Sequence, residues 1–126
     1  MKNSILVSTL LITLVLPLVF SISSCREPGK PQAVITVLDA DDKPISGAEV
    51  TIYTPPAPGY VDIENNLQKI VEVTNSAGQV TREFKYEAIY DVSVKVFDKH
   101  GNVIKSGNGV IILEEGKTYN ETIIAR

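Results

Sequence analysis

From residue 33 onward the chain is a series of short runs rich in Val, Ile, Thr and Tyr, separated at regular intervals by Gly, Pro, Asn and Asp. No segment of this region has the 3.6-residue period of an amphipathic helix. The runs 48–53 and 90–97 alternate between apolar residues and mostly polar ones, which is typical of strands with one buried face. The pattern therefore predicts an all-β chain.

Turn residues divide this region into seven predicted strands. They cover residues 33–39, 48–53, 68–74, 79–86, 90–97, 103–113 and 118–124. The sixth strand is expected to be interrupted at 107–109, and the register of the seventh is ambiguous because Ile123 and Ile124 are both apolar. Turn residues at 39–47 and 98–102 predict two hairpins. Short strands at this spacing favour an antiparallel two-sheet sandwich of the immunoglobulin-like kind.

The same alternation predicts the core between the two sheets. The inward-facing side chains are expected to be Ile35, Val37, Ala48, Val50, Ile52, Val80, Phe84, Val92, Val94 and Val96. Ser93 and Lys95 are expected on the solvent-facing side. Arg82 shares a face with Val80 and Phe84, so it is a defect in an otherwise apolar pattern.

Two motifs in this region follow one another in a recognisable order. Within 35–52 a strand leads through an Asp-rich turn to Pro-Ile and then Gly-Ala before a second strand, and within 74–78 a Thr is followed by a Gly. They resemble the signature turns of carboxypeptidase regulatory-like domains, which are transthyretin-like (prealbumin-like) sandwiches. The resemblance covers 33–96 and extends more loosely to the last residue, although Arg82 stands where the family usually has an apolar residue. It implies a transthyretin-like sandwich over 33–126.

The N-terminal 25 residues resemble a bacterial lipoprotein signal. A basic residue precedes an apolar run at 5–22, and two serines separate this run from Cys25, the only cysteine of the chain. These are the parts of an exported leader, and their end resembles a lipobox, in which the cysteine receives a diacylglyceryl group before cleavage. The resemblance implies a signal peptide at 1–24, followed by the acylated Cys25 and a Pro- and Gly-containing tether over 25–32.

Two other interpretations of the leader are an ordinary cleaved secretory signal and an uncleaved transmembrane helix. The apolar run has about 18 residues, close to the roughly 20 that span a bilayer, but Pro17 and several Ser and Thr residues argue against a spanning helix. A lone thiol in an exported protein would be prone to oxidation or to pairing between chains, and acylation accounts for it. We therefore expect a lipid-anchored protein of the bacterial cell envelope, at the outer membrane, on its periplasmic or its surface side.

Composition narrows the function of the mature chain. Removal of 24 residues leaves 102 of the 126, enough for one domain with one core. The leader holds one of the 12 basic and none of the 15 acidic residues, so the mature chain has a formal charge of −4. Its basic residues are scattered among carboxylates, which disfavours nucleic-acid binding because phosphate contacts require clustered Lys and Arg; we expect no nucleic-acid partner.

Catalytic and metal-binding signals are weak. His100, the only histidine, is expected to be an exposed turn residue, and a single histidine excludes the hydroxyisourate hydrolases found on the transthyretin-like fold. Asp39, Asp41 and Asp42 could supply oxygen ligands to calcium, but without an EF-hand spacing a turn is the favoured interpretation. We expect no catalytic residue, no metal and no other cofactor.

The loop 54–66 is the candidate binding segment. Three prolines within five residues stiffen it, and Tyr53 and Tyr60 place aromatic rings nearby. A stiff loop loses little entropy on binding, and tyrosine offers a large apolar face with a polar tip that suits sugars and proteins. The alternative is that Tyr60 folds over an exposed sheet edge and binds nothing.

These observations predict a lipid-anchored, non-catalytic envelope module that binds a protein or glycan, or that serves as an accessory subunit of a surface complex. The alternative is an enzyme of undetected type, whose catalytic residues would have to come together from separate loops. The two differ in a testable way, because an enzyme needs a concave pocket with convergent titratable groups.

Overall fold

The computed structural model describes residues 27, 29–55 and 69–126, and the predicted leader and Cys25 lie outside these ranges. Seven strands occur there: β1 (Gln32–Leu38), β2 (Glu49–Tyr53), β3 (Lys69–Val73), β4 (Gln79–Glu83), β5 (Ala88–Phe97), β6 (Val103–Leu113) and β7 (Thr118–Ile124). The described residues include no helix, and hence none with the length and apolar character needed to cross a membrane.

The strands form two sheets, one of three strands in the order β4-β1-β7 and one of four in the order β3-β2-β5-β6. The predicted all-β sandwich is confirmed. One pair departs from the antiparallel expectation, because β1 and β7 run parallel. The connection 114–117 returns the chain to the end of the sandwich where β1 begins, so β7 must run beside β1 in the same direction.

The predicted hairpin at 39–47 is wrong, because β1 and β2 belong to different sheets. The turn itself forms: Asp39 Oδ1 accepts hydrogen bonds from the N–H groups of Asp41 (2.8 Å) and Lys43 (3.0 Å). The pairing beyond it is a single bridge between Leu38 and Pro44, after which the chain crosses to the other sheet. Each strand has one apolar face, and the crossover lets these two faces pack against each other.

The predicted core is confirmed. Nine of the ten expected side chains are buried, and Val96 is partly buried against them. The structure adds side chains from β1, from β5 to β7 and from the residue that follows β7: Ala33, Tyr90, Ile111, Leu113, Ile123 and Ala125. The ambiguous register of β7 is settled in favour of Ile123, which is 2% exposed.

The predicted interruption of β6 at 107–109 is also wrong, since the strand runs unbroken through both glycines. Gly107 pairs with Val94, so it faces the core. A Cβ at Gly107 would lie 2.7 Å from Cγ2 of Ile123, which means that the glycine marks the place where β7 approaches β6. Beside it, Ser106 and Arg126 exchange two backbone hydrogen bonds of 3.0 Å. This side of the sandwich is therefore closed.

The opposite side, between the edge strands β3 and β4, explains the defect at Arg82. Its guanidinium forms an ion pair with Glu72 of β3, and both side chains are partly exposed. Arg82 does face the inner side of β4, as the pattern predicted, but it does so where the two sheets are open to solvent. β4 ends at Glu83, earlier than the predicted residue 86.

The sandwich has two ends, which we call the tether end and the far end. The tether end, named after the predicted tether, contains residues 29–31 and the connections 84–87 and 114–117. Gly116 donates a backbone hydrogen bond to Gly29 (2.6 Å), and Phe84 donates one to Pro31 (2.8 Å). The far end contains the connections β1–β2, β3–β4 and β5–β6. β2 ends at the tether end, so the loop 54–66, which was predicted to bind a ligand, begins there.

Candidate binding site on the four-stranded sheet

The outward face of the four-stranded sheet brings Tyr53 beside polar side chains of the two neighbouring strands. Tyr53, the last residue of β2, lies directly opposite Asp91 of β5, and Asp91 lies opposite Val110 of β6. On the other side of Tyr53 lies Lys69 of β3. Directly opposite side chains in antiparallel strands have Cβ atoms about 5 Å apart, so these four residues form one row across the sheet.

Strand alternation explains why this row points outward. Ile52 and Val92 are completely or almost completely buried, and their neighbours along each strand must therefore face the opposite side. Tyr53 and Asp91 are half-buried, while Val110 is exposed. Burial of the apolar neighbours thus places an aromatic ring and a carboxylate side by side on an accessible surface.

Asn108 of β6 completes the group. It pairs with Ser93, one outward position further along β5 from Asp91. Together these strands line an open depression of about 400 Å³. Its lining residues are Tyr53, Asp91, Val92, Asn108, Gly109 and Val110. The volume lies within the range of small-molecule sites, about 300–1,000 Å³, although the depression is shallow.

The donor and acceptor set of this depression is mixed. The Asp91 carboxylate accepts hydrogen bonds, the Asn108 amide both donates and accepts, and the Tyr53 ring offers an apolar face with a hydroxyl at its tip. Within the described residues no ion pair engages Asp91. The arrangement can therefore hold a ligand that combines a flat apolar surface with several hydroxyl or amide groups.

Of the predicted binding residues, the structure describes one. Tyr53 lies on the face just described, and Thr54 and Pro55 at the start of the loop are half-buried and exposed. Tyr60 and residues 56–66 lie outside the described ranges, as does Cys25, so the roles of Tyr60 and Cys25 stay predictions.

Sequence reasoning missed Asp91 and Asn108. The alternation of 90–97 was sufficient to place Asp91 on the outward face. That Asp91 lies beside Tyr53 depends on the pairing of β2 with β5, which no local pattern reveals. Asn108 was missed because the two flanking glycines were interpreted as a break in the strand.

A second cleft, also of about 400 Å³, lies at the open side of the sandwich. Its lining residues are Ile70, Arg82, Glu83, Phe84, Lys85, Tyr86 and Tyr90. The rings of Phe84 and Tyr90 lie with centroids 5.3 Å apart, and both are buried as part of the core. This cleft is the solvent-facing margin of the core, where Arg82 is already paired with Glu72.

His100, Asp39 and Asp98 all take part in the hydrogen bonds of their turns. His100 is exposed in the β5–β6 turn, as predicted, and its backbone N–H donates to Asp98 Oδ1 (2.8 Å). The backbone N–H of Asn102 lowers the pKa of Asp98, and that of Lys43 lowers the pKa of Asp39 in the first turn. Across the described ranges, no three His, Cys, Asp or Glu side chains are grouped so that they could hold a metal ion.

The fold defines the class of this protein as an all-β, two-sheet sandwich module. Neither the models of known protein families nor the curated proteins compared with the chain give a match.

Proposed function

We propose that this protein is a lipid-anchored, non-catalytic module of the bacterial cell envelope, at the outer membrane, that binds a protein or glycan or serves as an accessory subunit of a surface complex. The sandwich is proposed to be of the carboxypeptidase regulatory-like, transthyretin-like kind, on the strength of the motifs in 35–52 and 74–78. The connection of the first motif does form an Asp-centred turn followed by a crossover, and Gly78 of the second has φ +71°.

The second motif has a packing role that supports this proposal. Thr74 is 4% exposed; its hydroxyl donates to the carbonyl of Ile45 (2.7 Å) and accepts from the N–H of Ala48 (2.9 Å). A Cβ at Gly78 would lie 2.8 Å from the carbonyl oxygen of Val37. The Thr and the Gly of the second motif thus contact the first motif directly, which gives a physical reason for their occurrence as a pair.

The observation that carries the binding function is the row on the outward face of the four-stranded sheet, with Tyr53 beside Asp91 and Asn108 nearby. An aromatic ring with adjacent hydrogen-bonding groups suits recognition, because tyrosine contributes contact area at a low cost in conformational entropy. A shallow depression on a sheet favours binding over catalysis, since catalysis depends on enclosed, water-excluding geometry.

Recovery of partners from detergent-solubilised envelope tests the binding function. Tyr53→Ala should weaken retention of the native partner by about 5- to 30-fold, equivalent to 1–2 kcal/mol for the loss of an aromatic contact. Phe97→Ala is the control, because Phe97 is also aromatic, is 40% exposed and does not line this depression. Equal recovery by Tyr53→Ala and the wild type would remove this face as the site. If Tyr53→Ala lowers the melting temperature but leaves the recovery of the partner unchanged, Tyr53 only covers the sheet and does not bind the partner.

A further inference from the structure

The covalent distance between Cys25 and the sandwich is short. Gly29 is already held in place by the hydrogen bond from Gly116, and four peptide units separate the Cα atoms of Cys25 and Gly29, which span at most about 15 Å. By contrast, the 11 residues of β6 extend over about 35 Å at the usual rise of a strand. If Cys25 carries the acyl chains, the tether end cannot move far from the lipid, whereas the far end can lie a full strand length away from it.

Apolar side chains are exposed at this same end. Tyr86 lies in the connection 84–87 and is 68% exposed. Ile89 and Ile112 are directly opposite each other on β5 and β6 and are 57% and 45% exposed; they are the last outward-facing pair before the tether end. Isolated exposed apolar residues are normal on a protein surface, but the short tether keeps these three within reach of a membrane.

The charges of the tether end are mixed. Lys30 pairs with Glu83 (2.9 Å) and Lys117 pairs with Glu114, so a large part of the basic charge is compensated. Lys85 lies over the ring of Tyr86, with its Nζ 5.0 Å from the ring centroid. A lysine beside an aromatic ring can extend its ammonium toward lipid phosphates while the ring stays in the apolar boundary. Contact with lipid at this end would therefore depend mainly on apolar burial.

We propose that the tether end lies on the lipid surface, with Tyr86, Ile89 and Ile112 in the interfacial layer of the membrane. This orientation rests on the proposed acylation of Cys25 and goes beyond it, because an acylated protein could equally project on its tether without touching the bilayer. It leaves the far end, with the β1–β2, β3–β4 and β5–β6 connections, as the part most distant from the membrane.

Depth-dependent fluorescence quenching in the acylated full chain tests the orientation. The chain is reconstituted in vesicles of phosphatidylethanolamine and phosphatidylglycerol, some of which carry nitroxide headgroups. Ile89→Cys and Ile104→Cys supply the labelling sites, since acylation blocks the native thiol. Ile104 is the matched control because it is also 57% exposed but lies near the far end of the same sheet. We expect the label at position 89 to be quenched several-fold more than the label at position 104.

The outcomes separate this proposal from the proposed function. If the chain sediments with the vesicles and both labels are quenched equally, the orientation is overturned while the anchor stands. If the chain stays in the supernatant, the anchor is overturned and the orientation with it. Adding Tyr86→Ser and Ile112→Ser to the position-89 reporter should lower its quenching toward that of position 104 without releasing the chain. Unchanged quenching would contradict the named contacts.

Discussion

Among individual residues, Thr74 shows how one hydroxyl can connect two distant turns. Its side chain satisfies both the carbonyl of Ile45 and the N–H of Ala48; the bond to Ala48 is buried and the bond to Ile45 is partly buried. Buried polar groups that lose a partner cost about 1–3 kcal/mol each. Thr74 therefore contributes to stability through the groups it satisfies on the first crossover as well as through its own packing.

We predict that Thr74→Val, which keeps the shape and removes the hydroxyl, lowers the free energy of unfolding by about 1–3 kcal/mol, because it leaves the buried N–H of Ala48 and the partly buried carbonyl of Ile45 without this partner. Thr74→Ser should cost less, since it keeps the hydroxyl. Equilibrium denaturation by urea measures both values. Thr81→Val is the control, as Thr81 is exposed on β4. Equal stability of the Val and Ser variants would contradict this role.

Asp98 and Asp39 predict a pH dependence of stability. Both carboxylates accept backbone N–H hydrogen bonds in exposed turns, and these bonds lower their pKa below the ordinary value of 3.8. A carboxyl whose pKa is lower in the folded state contributes stability above its unfolded pKa, and the contribution is lost as the pH falls through the folded pKa. We therefore expect the protein to lose this stability as the pH falls below about 4.

Thermal unfolding across this range tests the prediction. The wild type should lose stability as the pH falls below about 4, and Asp98→Asn should show a smaller loss because the titrating group is gone. Asp39→Asn should behave similarly, and the double variant should lose least. Parallel pH profiles for the wild type and the double variant would contradict the assignment.

Among the strands, β6 shows how glycines can serve packing between sheets. Gly107 and Gly109 face the core, where they leave room for Ile123 of β7. Together with the backbone bonds between Ser106 and Arg126, this close approach joins the two sheets along one side. The other side stays open and carries the pair of Arg82 with Glu72.

We predict that Gly107→Ala destabilises the protein by about 1–3 kcal/mol, the usual cost of overpacking, because the added methyl would lie 2.7 Å from Cγ2 of Ile123 and 2.8 Å from the carbonyl oxygen of Ile124. Ser106→Ala on the same strand is the control, since its side chain lies on the outward face. Chemical denaturation compares the two. A neutral Gly107→Ala would mean that β7 can move away from β6 without loss.

For the molecule as a whole, the proposed anchor would determine where the proposed binding face can act. Acyl chains contribute about 0.8 kcal/mol per buried methylene, so two or three chains hold a protein stably where a single chain does not. We predict that Cys25→Ala moves the protein from the membrane fraction to the soluble fraction, as measured by sedimentation after a high-salt wash. Arg26→Ala keeps the thiol and should stay with the membrane. An unacylated Cys25 by mass spectrometry, or membrane retention of Cys25→Ala, would refute the anchor.

The sequence by itself determined the class of the fold, the approximate bounds of the strands and nine of the side chains that are buried in the core. These properties follow from local rules: alternation of apolar residues requires one buried face, and Asp, Asn, Gly and Pro define turns through their own side chains and backbone preferences. The bounds of β7 and the inward direction of Val92 and Val94 followed from these rules without any tertiary information.

Tertiary structure alone decided which strands are neighbours. Residues 39–47 form the expected turn yet connect two sheets. The turn reverses the direction of the chain, but the burial of the apolar faces of β1 and β2 against each other decides which strands they pair with. The parallel pairing of β1 with β7, the continuity of β6 through Gly107, and the ion pair that accommodates Arg82 all depend on contacts between residues distant in sequence. For the same reason the row of Tyr53, Asp91 and Val110 could not be predicted, since cross-strand register is a property of the assembled sheet.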